Sequence, residues 1–158
     1  MSQRVVPFVK AFIAGFVSTL AFHQGVLALL YFAGAVPHAP YDLRAVPPLG
    51  LPAVISLAFW GGVWGAAIWP LLKHGGGAAY WVWAVVMGAI GPSAVALFIV
   101  YPLKGMPVAG GWDPKLIGTA LLLNGAWGLG MALLMRLLHH APRRGNAGTL
   151  QAPHLAGR

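Results

Sequence analysis

The chain has 158 residues, 59% of them hydrophobic and only 8% charged, with a formal net charge of +8. An average soluble domain carries about 25% charged residues, so this composition excludes a water-solvated globule and predicts a membrane protein. Cysteine is absent, which excludes disulfides, thiolate metal sites and a thiol nucleophile. The basic residues form no stripe and flank apolar segments instead, which argues for lipid headgroup contact and topology control and against nucleic acid.

Four segments reach the roughly 20 apolar residues that a bilayer crossing needs. The first runs from Val9 to Ala35 and holds His23 and Gln24 near its centre. Its start resembles a signal peptide, with Thr19-Leu20-Ala21 as a cleavage-like site. The apolar run goes on to Ala35, longer than a signal core, so it reads as a span. A proline-rich stretch, AVPHAPYDLRAVPPLG, follows and should form an extended, non-helical outer loop.

The second span runs from Pro52 to Leu72, with proline at a helix start, where its missing N–H costs nothing. A tight KHGGG turn leads to the third span, Ala78 to Tyr101, where Gly91-Pro92 predicts a kink. After a second outer loop, PLKGMPVAGGWD, the fourth span runs from Pro114 to His139. The apolar runs do not alternate, so strands are not expected. A closed all-α bundle of four transmembrane helices satisfies every backbone group in hydrocarbon. Residues 141–158 form a basic tail rich in Gly, Pro and Ala, expected to be mobile and to lie against anionic lipid.

With four spans both termini share a side. Arg4, Lys10, Lys73, Arg136, Arg143, Arg144 and Arg158 collect there, against Arg44, Lys104 and Lys115 opposite, with both acids, Asp42 and Asp113. The imbalance predicts cytoplasmic termini. Gly62-Val63-Trp64-Gly65 recurs as Gly125-Ala126-Trp127-Gly128, each about a dozen residues after a proline. That spacing suggests two helical-hairpin repeats related by a pseudo-twofold axis along the membrane normal.

Small residues recur four apart in every span: Gly61 and Gly65, Ala21 and Gly25, Ala84 and Gly88, Ala126 and Gly130. Lipid supplies little hydrophobic drive between helices, so such faces pack by close backbone contact. Homo-oligomerisation, or docking on a partner membrane subunit, through a further small face is the expected extension.

The four spans also bring polar groups to a similar depth. His23 and Gln24 lie in the first, Trp64 in the second, Ser93 in the third, and Asn124 with Trp127 in the fourth. Intramembrane polar groups read as a ligand site or as interhelical glue. His23 is expected to pair with Asn124 and Ser93, with an indole N–H of Trp64 or Trp127 as a further donor.

No span contains Asp or Glu, which removes the usual carboxylate for proton or cation coupling. No carboxylate pair, Walker loop, nucleophile elbow or zinc signature is present, so neither catalysis nor a metal site is expected. A haem held by two histidines fails on depth: His74, His139 and His140 lie at the cytoplasmic edge and His38 in an outer loop. No cofactor is therefore expected. The leading expectation is a non-catalytic small transport or channel unit, or an accessory subunit of a membrane complex. The alternative is an electron-transfer subunit holding haem or quinone through His23.

FHQG, PHAPYDL, PPLGLPAVISLAFWGGVWG, VAGGWDPKL and NGAWGLG together resemble small bacterial four-helix integral membrane proteins with no assigned activity. The resemblance covers most of the chain. It implies a multi-pass protein of the bacterial inner membrane and implies nothing about mechanism.

Overall fold

The computed structural model describes residues 5–140; the basic tail and Arg4 lie outside the described residues. Four helices dominate: α1 (Val6–Phe32), α2 (Ala53–Leu72), α3 (Gly77–Leu103) and α4 (Pro114–His140). All four are long and apolar enough to cross a membrane. Their outer faces are apolar, with Leu29 72% and Phe32 82% exposed. The buried centre holds small residues such as Ala11, Ala14, Ala84 and Ala132 beside Met131 and Met135.

Local chemistry sets the ends. α1 begins and ends three residues before the expected Val9 and Ala35. Pro7 occupies its first turn. At its far end Gly34 adopts φ +70°, the Gly34 N–H donates to Tyr31 O, and the Ala35 N–H donates to Leu30 O. That is a Schellman motif, which favours glycine at the left-handed position. α3 closes in the same way: Gly105 has φ +73°, its N–H donates to Pro102 O, and the Met106 N–H donates to Tyr101 O.

Two helices are locally widened. α1 contains a π turn over Thr19–His23, and α3 contains another over Ala96–Val100. The second begins four residues beyond Pro92, which sits inside the helix. π turns leave no hydrophobic signature, and neither was foreseen from the residue pattern.

The first outer loop is more ordered than an extended cap. Ala45–Val46 (β1) pairs antiparallel with Leu51–Pro52 (β2), two residues on each strand joined across residues 47–50. The loop then caps α2: Ala53 N–H donates to Arg44 O at 2.9 Å and Val54 N–H to Asp42 O at 3.0 Å. These bonds satisfy two of the N–H groups that a helix start leaves open.

α1 packs closely against α2, α3 against α4, and α1 against α4, while α2 and α3, joined by a short turn, approach less closely. The helices therefore form a ring in the order α2–α1–α4–α3. The two hairpins close through equivalent glycines. A Cβ at Gly65 would overlap the Ala11 carbonyl oxygen and come within 3.1 Å of Gly15 Cα. One at Gly128 would overlap the Ala84 carbonyl oxygen, again 3.1 Å from Gly88 Cα. Hydrogen at these positions lets the backbones touch, which is the main attraction available between helices in lipid.

Candidate functional site

The polar residues of the spans fall into three separate groups. The first joins α1 to α4. Ser18 Oγ donates to Trp127 O at 2.6 Å, and Trp127 Nε1 donates to Gly15 O at 2.9 Å. Thr19 Oγ1 donates to the same Gly15 oxygen at 3.1 Å. All three side chains are buried. Gly15 can present its carbonyl sideways because it adds no side chain to shield it.

The second group joins α3 to α4. Asn124 Nδ2 donates to Ser93 Oγ at 2.9 Å, so the two residues expected to pair with His23 bond each other instead. Trp64 does not join it. Its ring packs on α3 at Gly91, where an added Cβ would lie 3.1 Å from Cζ3.

The third group ties α1 to the first outer loop. Gln24 is buried, and its Oε1 accepts from the Tyr41 N–H at 2.7 Å. Tyr41 Oη donates to Leu20 O at 2.9 Å. Leu20 lies within the π turn, where the Gln24 N–H is directed at Ala21 O and Thr19 O; the tyrosine hydroxyl bonds the Leu20 carbonyl there. Tyr41 holds φ +55° to make both contacts, a conformation uncommon outside glycine.

His23 ends the π turn. The expected bond to Asn124 is not formed. Its Nδ1 is buried and has no hydrogen-bond partner, the one such side-chain atom among the described residues. Imidazole carries either a proton or a lone pair at each ring nitrogen, so either tautomer leaves Nδ1 unsatisfied. Among the described residues no cluster of three metal-ligating side chains occurs. Of the expected layer, Trp127, Ser93 with Asn124, and Gln24 thus fall into three separate hydrogen-bonded ties, Trp64 packs on Gly91, and half-buried His23 keeps one buried nitrogen without a partner.

The residue pattern missed the role of Tyr41. Its only signal was a lone tyrosine among prolines, which reads as an interfacial anchor. Next to it, Asp42 takes hydrogen bonds from the Arg44 guanidinium and from the Arg44 backbone N–H. The guanidinium bonds first, then the backbone bond, lower its pKa from the ordinary 3.8 to about 2. A carboxylate depressed on folding favours the folded loop above its ordinary pKa. That contribution is lost as pH falls from about 4 to about 2. Amide protection across residues 41–54, corrected for the intrinsic pH dependence of exchange, should therefore fall in that window and stay level between pH 5 and 7; an unchanged protection profile would refute the tie.

Fold and polar groups together define a small all-α bundle whose helices suit a bilayer and whose hydrogen bonds run chiefly between its own segments. Compared with known protein families, with curated proteins and with solved structures, the chain finds no match.

Proposed function

We propose that this chain is a non-catalytic multi-pass protein of the bacterial inner membrane, with both termini cytoplasmic, acting as an accessory subunit. Its partner is a second copy or another membrane protein. The supporting observation is that its central polar groups bond to one another rather than face a common chamber: Ser18 with Trp127, Trp127 with Gly15, and Asn124 with Ser93. A small transport unit would instead turn such groups toward a hydrated path.

The small-residue faces favour the same reading. Gly61, Gly65, Gly88, Gly128 and Gly130 are all covered within the chain. Gly25 has nothing within 4 Å of an added Cβ, and Ala21, one turn before it, is exposed. We assign that open face of α1 to the partner. The matched glycine crossings and the two Schellman ends support descent from a duplicated hairpin. The α1–α4 contact, much closer than its counterpart between α2 and α3, is where the two halves differ.

A second reading rests on His23 alone. Its buried Nδ1 can bond a quinone carbonyl. A bis-histidine haem within one chain gains no support, because His74 and His139 lie at the other end of the bundle and His38 is exposed in the loop.

The absence of native cysteine makes the test direct. The Ala21→Cys variant, oxidised in native membranes, should give one crosslinked band, while Leu133→Cys, on the exposed face of α4, should not. Extraction in mild detergent should give an assembly larger than the monomer. Solute flux in vesicles holding the pure chain would replace this reading with transport. A visible chromophore or bound quinone lost in His23→Leu would replace it with electron transfer.

A further inference from the structure

At the end of the bundle where a short turn joins α2 to α3, a cleft of about 120 Å³ opens between α2, α3 and α4. Lys73, Arg136 and His139 line it, over Trp69, Tyr80 and Met135. Arg136 and His139 are held in place. The Arg136 guanidinium lies 4.6 Å from the Tyr80 ring centre and 5.1 Å from that of Trp81. Tyr80 is itself fixed, its hydroxyl donating to Ala132 O at 2.9 Å. His139 Nδ1 donates to Met135 O at 2.9 Å, and its ring packs 5.1 Å from Trp69. The carbonyl only accepts, so Nδ1 carries the proton and Nε2 is left for another contact.

The charged side chains at this cleft are all basic. Both acidic side chains of the chain, Asp42 and Asp113, sit at the opposite end, before α2 and α4. The first turn of α3, beside the cleft, has no side-chain cap, and its open N–H groups offset part of the negative potential of the α2 and α4 carbonyl ends at the same level.

We propose that this cleft binds the phosphate group of an anionic phospholipid. Three observations favour a lipid over a soluble phosphate compound. The volume is well below the roughly 300–1,000 Å³ of small-molecule pockets, so it takes a headgroup phosphate and not a whole metabolite. Trp69, Tyr80 and Trp81 place an aromatic belt at this level, where headgroups lie. Exposed Leu71 and Leu137, next to the cationic residues in sequence, offer an apolar flank for acyl chains. Basic pockets between transmembrane helices hold lipid headgroups by this combination. The site rests on the bilayer placement of the four helices and not on any protein partner.

The full chain, purified in detergent, is loaded with equal amounts of phosphatidylglycerol and phosphatidylcholine, and retained lipid is counted by native mass spectrometry. Phosphatidylglycerol should be retained in preference. Lys73→Gln should lower its retention about fivefold, as expected for one basic residue near a lipid surface, and adding Arg136→Gln should lower it further. Lys104→Gln, at the opposite end, should leave it unchanged. Lys73 is exposed, so its variant remains decisive if the Arg136 variant fails to fold. Equal retention of the two lipids, or no loss in Lys73→Gln, overturns the proposal. Inorganic phosphate that binds with the same dependence on Lys73 and displaces the lipid makes the cleft a site for soluble phosphate and also overturns it.

Discussion

Replacing Gly65 or Gly128 with leucine should pull its hairpin apart, the largest effect expected of any single substitution here. In each case the obstacle is a backbone carbonyl of the facing helix, at Ala11 or Ala84. A side chain in the way could rotate, but a helix backbone moves only as a whole. Overpacking costs about 1–3 kcal/mol where neighbours can adjust; with backbone as the neighbour, we expect about 3 kcal/mol or more. Alanine at Gly25 or Gly118 meets nothing within 4 Å and should stabilise its helix by up to about 1 kcal/mol through propensity. Unfolding in mixed micelles, followed by circular dichroism, separates the pairs. If the leucine variants unfold with the parent, close packing does not hold the hairpins.

Trp127→Ala should be nearly as damaging. The indole is 2% exposed and bridges the two hairpins, packed in the core and bonded to Gly15 O. Truncating a buried tryptophan costs about 3–5 kcal/mol. Trp127→Phe keeps most of the ring and removes only the N–H. Interhelical hydrogen bonds in membranes average about 0.6 kcal/mol, because the separated helices also find partners. The phenylalanine variant should thus stay close to the parent while the alanine variant fails. The same micelle titration reads both, and similar losses would mean that the hydrogen bond, not packing, carries the junction.

These expectations show which parts of the molecule its residues announce. The spans were legible because an apolar run of over 20 residues has few alternatives in lipid, and boundaries moved by no more than three residues. Depth alone placed Ser93 and Asn124 at one level, as expected partners of His23; their bond to each other was not foreseen. His23 and Gln24 were not legible. A π turn adds a residue to the local repeat and so changes the direction of every side chain beyond it, without any mark in composition. Gln24 then met the backbone of Tyr41, and backbone partners are invisible to a search for matching side chains. The cleft beside Lys73 was hidden for another reason: its residues come from three helices, each supplying one or two members.

The helices differ in length: α2 has 20 residues and α1 has 27, or about 30 Å and about 40 Å at 1.5 Å per residue. A hydrocarbon core is roughly 30 Å thick, so it matches α2 and falls about 10 Å short of α1. Tilting or local thickening absorbs such hydrophobic mismatch at fractions of a kcal/mol per Å. α2 packs along α1 and is joined to α3 by a short turn, so the shorter span forms one side of the ring. A thin membrane matches α2 and tilts its longer neighbours; a thick one matches those and draws the proline hairpin before α2 down among acyl chains. Bilayer thickness therefore acts unequally on the two sides of this molecule.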